Sequence, residues 1–196
     1  MLTGRLAKSR GEDDLIVHAK AGDLNAFEQL AGAHADRLYT VALRLVGDRD
    51  EAEDVVQETL LRAWRGIGSF QGHAMIFTWL YRITVNESNR TLERRARRGT
   101  TVPVDDEVVQ IAAPAHHGPA RRAESKELRD ALALAIADLQ PPYRTALVLR
   151  DIEGLSTREA AKIVGVGEAA FKSRLHQARL RVRTELGDAA LIALTQ

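Results

Sequence analysis

GLSTREAAKIVGVGEAAFKSRLHQAR, residues 154–179, decides how this chain is read, because its spacing describes two short helices around a tight turn. Ser156 and Glu159 stand at the S-x-x-E spacing of a capping box, in which each side chain bonds the other residue's backbone N–H. Ala160, Ala161, Ile163 and Val164 supply a small apolar face, and Gly165 suits the left-handed residue that ends a helix. A second helix is predicted from near Glu168. It carries Lys172, Arg174 and Arg179 with no acid from Ala169 through Thr184, so its exposed face can approach phosphates without self-repulsion. That is the layout of a helix-turn-helix. Small cationic helical pairs also serve as plain packing units, and for this segment DNA binding is the favoured reading.

Outward from this motif, composition narrows the possibilities. The chain has 196 residues, of which 45% are hydrophobic, enough to bury a core in each half and to exclude disorder of the whole. A net charge of +1 hides strong segregation. Asp48, Asp50, Glu51, Glu53, Asp54 and Glu58 face only Arg49 in one stretch, whereas Arg90, Arg94, Arg95, Arg97 and Arg98 crowd a later helix end. Surfaces so different are expected to meet differently charged partners. The absence of cysteine excludes disulfides and thiolate metal sites, and no apolar run reaches membrane-spanning length. The first residues, MLTGRLAKSRGEDD, lack the apolar core of a signal peptide, so a cytoplasmic protein without membrane insertion is expected. No phosphate-cradling glycine loop or metal-ligand spacing occurs, and His116 and His117 sit in a Pro-rich stretch where solvation suits them. Neither catalysis nor a cofactor or metal is expected.

The apolar period is helical nearly throughout, which predicts an all-α fold. A short helix is expected near Asp14 to Ala21. Leu24, Phe27, Leu30, Ala31, Leu38, Ala42 and Leu45 mark a second, Ala52, Val55, Val56, Leu60, Ala63, Trp64 and Ile67 a third, and Ile76, Leu80 and Ile83 a fourth. Residues 99–120 break the period with Pro103, Pro114, Gly118 and Pro119 and read as an extended linker. Helices over 121–139 and 141–151 then precede the helix-turn-helix, with Pro142 in a first turn where a missing N–H costs nothing. Two small helical domains, 12–98 and 121–189, joined by that linker are the expected architecture.

Two features of the first domain invite a functional reading. On the helix over 50–65, Asp54, Gln57, Glu58 and Leu61 lie opposite the apolar stripe at i, i+3, i+4 and i+7. A leucine among carboxylates fits a docking surface, and on spacing alone a solvated acidic face fits equally well. Phe70 lies in a turn, GSFQGHAM, that Gly68 and Gly72 can bend, with Asn86, Asn89 and Arg90 on the following helix. Aromatics beside arginines suit unstacked bases. Phe77 and Trp79 read as core, which leaves Phe70 as the candidate base contact.

The runs DEAEDVVQETLLRAWRGIGSF (50–70), FTWLYRITVNESNR (77–90), LQPPYRTALVLRDIEGLSTREAAKIVGV (139–166) and KSRLHQAR (172–179) together resemble the bacterial sigma factors of the extracytoplasmic-function group. The resemblance extends from about Asp13 to Arg183 in the right order. It implies a dissociable specificity subunit of RNA polymerase, with a domain like sigma region 2 and a second like sigma region 4. Asp54, Gln57, Glu58 and Leu61 match the surface that presses on the coiled coil of the polymerase β′ subunit, and the second domain would meet the β flap. Phe70, Gln71 and Asn86, with Asn89, match the surroundings of a base flipped from the minus-ten element, and Arg90, Arg94 and Arg95 would track the separated strand. Lys172, Ser173, Arg174 and Gln177, flanked by Arg158 and Arg179, match the surface that reads the minus-thirty-five element in the major groove. An anti-sigma factor is an implied partner. This chain departs from the family pattern at Gln71, where an arginine is frequent, and at Ala169, Ala170 and Phe171, which replace Gly-Thr-Val. Two other readings fit part of the pattern: a free-standing repressor or activator using only the helix-turn-helix, and a sigma-like protein that merely occupies an anti-sigma factor.

Overall fold

The computed structural model describes residues 10–72, 75–99 and 131–186, and all of the regular structure among them is helical. The first domain consists of α1 (Arg10–Lys20), α2 (Leu24–Val46), α3 (Arg49–Gly66) with a 3-10 turn Ile67–Ser69, and α4 (Ile76–Arg98). Each boundary has a local cause. Asp23 caps α2 by accepting from Ala26 N–H, and Asp48 caps α3 by accepting from Glu51 N–H at 2.9 Å. Between them the chain reverses at Gly47, whose φ of 79° an L side chain adopts only under strain. Asp50 and Glu51 in the first turn of α3 complement the positive end of its dipole. Leu30, Leu38, Val41, Leu45, Ala63, Ile67, Ile76, Leu80 and Tyr81 are buried together as the core of this domain.

The second domain begins, within the described residues, with a helix over 131–138 (α5). Next comes α6 (Pro141–Leu147), which opens on two prolines and runs into a π-helical turn, Val148–Ile152. The helix-turn-helix comes next as α7 (Thr157–Val164) and α8 (Glu168–Leu186). The sequence-predicted linker beyond Gly99, residues 121–130 and the chain after 186 lie outside the described residues.

The two domains do not stand apart. Ala133 of α5 is buried with Ala42, Leu43, Val46, Ala52 and Val55 of the first domain. Arg144 of α6, itself buried, donates to Leu45 O at the end of α2 at 2.5 Å, and also to Ala137 O and Leu139 O at the end of α5. Arg144 thus satisfies carbonyls that two helix C-termini leave without partners. Burial lowers its pKa to about 10, still a cation at neutral pH.

Candidate nucleic-acid interface

The helix-turn-helix is built as its sequence specifies. Ser156 Oγ accepts from Glu159 N–H at 3.2 Å, and the Glu159 carboxylate accepts from Ser156 N–H at 2.9 Å. The Ser156 hydroxyl also donates to that carboxylate at 2.6 Å, and this bond, followed by the one from Ser156 N–H, holds the Glu159 carboxyl below its ordinary pKa. Gly165 takes the left-handed conformation at φ 70°, and Val166 N–H returns to Ala161 O at 3.1 Å. Phe171, Leu175, Ala178 and Val182 form the buried stripe of α8. Phe171, where the family pattern has valine, therefore serves the core. Lys172, Ser173 and Gln177 are exposed on the opposite side and Arg174 is half-buried. Arg158 is exposed at the start of α7, 3.7 Å from Glu168.

Arg179 does not join that surface. Its Nε and Nη2 donate to the two carboxylate oxygens of buried Asp151, at 2.9 and 2.6 Å, a bidentate pair that ties α8 to the π-helical turn. The expectation that it reads DNA is corrected: its planar fork is already occupied inside its own domain.

On α3, Ala52, Val55, Thr59 and Ala63 are buried, while Asp54 and Gln57 are exposed and Leu61 is 50% exposed. Glu58 accepts from Arg62 at 2.7 Å, and Arg62 also lies 3.1 Å from buried Glu87 of α4. Asp54, Gln57, Glu58 and Leu61 form one wall of an open groove of about 740 Å³. Its other wall is α4, with Arg90, Arg94 and Arg97.

The residues expected on one strand-tracking face of α4 are divided among three, because each step along a helix turns about 100°. Asn86 and Asn89 face the second domain, in a cleft of about 260 Å³ shared with Pro142, Thr145 and Arg174. Arg90 and Arg94 line the α3 groove, where Arg90 donates to Glu87 at 2.7 Å and Arg94 to Thr91 at 3.0 Å. Arg95 points to the α2–α3 corner, donating to Val46 O at 2.9 Å and pairing with Glu51. Arg95 is a brace of the fold and not a free strand contact.

Phe70 also departs from expectation. Its side chain is buried, with its ring centroid 5.4 Å from Trp79, and its carbonyl accepts from Lys20 Nζ at 2.9 Å. The aromatic ring lowers its free energy more by packing on Trp79 than by standing in water. The turn around it still forms a pocket of about 470 Å³, with exposed Gln71, left-handed Gly72, Trp79, Arg82 and, from the second domain, Lys162. Phe77 is core as expected, its ring tilted against that of Tyr81 with centroids 4.0 Å apart.

Sequence reasoning missed Arg44, Tyr81 and Glu153. Glu153, at the end of the π-helical turn, pairs with Arg44 of α2 and accepts from the Tyr81 hydroxyl of α4 at 3.0 Å. Burial and then the neighbouring Glu153 charge raise the Tyr81 pKa, and burial lowers that of Arg44 against the pull of Glu153. Among the described residues no cluster of acidic or histidine side chains could hold a metal ion, and no described helix is long and apolar enough to cross a membrane.

A helical domain with an open groove between α3 and α4, followed by a helix-turn-helix domain, matches two protein families in the same order: Sigma-70 region 2 over residues 30–98 and Sigma-70, region 4 over residues 129–182. The chain is 31% identical to the RNA polymerase sigma-H factor of Pseudomonas aeruginosa over 86% of its own length and 90% of the relative's. It is 32% identical to the ECF RNA polymerase sigma factor SigW of Bacillus subtilis, over 88% and 95% of the two chains. Among solved structures, CnrH in complex with the cytosolic domain of CnrY is similar with a TM-score of 0.62 at 26% identity, over 89% of this chain and 96% of that one. RpoE of Bartonella quintana, in complex with the anti-sigma factor NepR, gives a TM-score of 0.64 at 26% identity, over 84% and 99%. The chain belongs to the extracytoplasmic-function (ECF) family of bacterial RNA polymerase sigma factors. It is a non-enzymatic initiation factor that binds core RNA polymerase and directs it to promoter DNA.

Proposed function

We propose a division of labour among its surfaces. Asp54, Gln57, Glu58 and Leu61 seat on the β′ coiled coil of core polymerase, and the second domain meets the β flap. The observation that carries this is Leu61, 50% exposed amid carboxylates on a helix whose other face is closed. An apolar anchor ringed by charges is the anatomy of a docking surface. Asn86, Asn89 and the pocket beside Gln71 receive an unpaired base of the minus-ten element. Lys172, Ser173, Arg174, Gln177 and Arg158 meet the minus-thirty-five duplex, where lysine and arginine read guanine edges and fix phosphates.

The mechanism follows from energetics. Polymerase raises the effective concentration of both domains on their two elements, so the free factor need not bind DNA tightly. Flipping a base costs a few kcal/mol, which a fitting pocket and strand contacts offset, and opening thereby depends on sequence. The functional units are 12–98 and 121–189, joined by a tether over 99–120. The relative solved in complex with an anti-sigma factor supports restraint of this factor by an anti-sigma partner, with release in a stress or envelope response and action in the cytoplasm as parts of the same proposal.

Run-off transcription with bacterial core polymerase on a promoter library tests the reading. Wild type should give discrete products, while Leu61→Asp or Glu58→Lys should give none and fail to associate with core, with helicity unchanged because both positions are off the core. Normal core association by both variants would overturn the assignment of this face.

A further inference from the structure

We propose that Glu87 is a positioning residue of the polymerase-docking face: it takes over Arg62 when Glu58 turns to its partner, and so keeps the docking carboxylate available. Glu58, Arg62, Glu87 and Arg90 all line the groove between α3 and α4, where they form one chain of charges. Arg62 Nε donates to Glu58 Oε1 at 2.7 Å and lies 3.1 Å from Glu87 Oε1, while Arg90 Nη1 donates to that same Glu87 oxygen at 2.7 Å. A guanidinium Nε carries a single hydrogen, so the two carboxylates compete for it.

Burial separates the roles of the two carboxylates. The Glu58 side chain is 40% exposed, where a partner can reach it, whereas that of Glu87 is 7% exposed and out of a partner's reach. A cation of the polymerase arriving at Glu58 is repelled by Arg62 as long as the guanidinium stays there. With Glu87 in place, the Nε–H moves to an acceptor already 3.1 Å away and Arg62 keeps an opposite charge beside it. Arg90 remains on Glu87 throughout, so the buried carboxylate is paired before and after the exchange. Both partners of Glu87 are about half exposed, and ion pairs to hydrated arginines add little to stability. The effect of Glu87 is therefore on which carboxylate holds Arg62, a role that rests on the assignment of Glu58 to the polymerase face made above.

Glu87→Gln keeps the shape of the side chain and leaves no buried charge behind, since Arg62 and Arg90 are 42% and 54% exposed and stay hydrated. Arg62 then remains on Glu58. In equilibrium titrations of the full-length factor with core polymerase at low salt, Glu87→Gln should bind roughly two- to fivefold more weakly than wild type, the range a half-exposed ion pair supplies, with unchanged thermal unfolding. Glu87→Met, a neutral chain of similar volume, should reproduce the loss. In an Arg62→Gln background Glu87→Gln should have no effect, because no guanidinium is left to mask Glu58. In an Arg97→Gln background, which alters the net charge of the same groove equally but leaves Arg62 in place, it should again cost roughly two- to fivefold. No loss in the wild-type background, equal losses in all three, or suppression by both arginine changes would each overturn the hand-over. Glu58→Lys separately tests the face. Normal core binding by that variant would overturn the docking assignment and the hand-over with it, whereas a Glu58→Lys defect beside a silent Glu87→Gln would overturn the hand-over alone.

Discussion

Replacing Arg144 by methionine should destabilise the protein through its second domain. The guanidinium donates to Leu45 O, Ala137 O and Leu139 O from a position 8% exposed. Bonds from a charged donor contribute roughly 1.5–3 kcal/mol each, or about 5–9 kcal/mol for three, whereas releasing a buried cation to water recovers several kcal/mol. The balance is about 3 kcal/mol, or a fall in Tm of roughly 6–12 °C for a chain of this size. Methionine fills the volume of the arginine stem with an unbranched, adaptable chain, so cavity formation adds little. Both tryptophans, Trp64 and Trp79, lie in the first domain, which separates the domains spectroscopically. In urea, far-UV circular dichroism should show an early loss of helix from the second domain, followed by a fluorescence transition close to that of wild type. Unfolding curves of Arg144→Met that superimpose on wild type by both probes would refute the view that Arg144 ties three carbonyl ends together.

On promoter DNA, Asn86→Ala should leave closed-complex affinity intact and reduce permanganate reactivity at the minus-ten element, with partial recovery on a premelted bubble. Lys172→Ala should weaken the initial duplex encounter and gain nothing from the bubble, and an Asn86→Ala variant that opens duplex promoters like wild type would remove Asn86 from the pocket. At neutral pH, Ser156→Ala should cost about 1 kcal/mol in thermal or denaturant unfolding. Because the folded-state pKa of Glu159 is depressed, the capping contribution is present above its ordinary value of 4.5 and is lost as pH falls through the lowered one. The difference between Ser156→Ala and wild type should therefore shrink in acid, and a gap constant from neutral pH to well below pH 4.5 would refute the reciprocal cap.

Features set by near neighbours in the chain were legible from sequence. The Ser156–Glu159 cap, the Gly165 turn and the exposed row from Asp54 to Leu61 follow from spacings of three to seven residues, which helix geometry converts directly into shared faces. The features that escaped were decided by partners far away. Arg95 finds Glu51 44 residues earlier, Arg179 finds Asp151 28 residues earlier, and Arg44 finds Glu153 109 residues later. A run of arginines looks alike in sequence whether its members meet solvent, phosphate or a buried carboxylate. Phe70 was misplaced for a related reason: glycines around it signal a turn but do not say that Trp79 takes up the ring.

The π-helical turn Val148–Ile152 has a consequence for how this segment tolerates change in length. Glu153 N–H bonds back five residues to Val148 O, at 2.9 Å, so the turn accommodates one residue more than an α-helix would. That extra residue sets the rotational phase of the chain beyond it. Asp151 turns inward to Arg179, and Glu153 turns across to Arg44 and Tyr81. Removing one residue would wind the segment back into regular helix and rotate the downstream residues by about 100°. Both carboxylates would then miss their partners, although no residue that touches a basic group had been altered. In this short stretch the spacing of the chain carries information that side-chain identity alone does not, and a frame-preserving deletion is more disruptive than many substitutions.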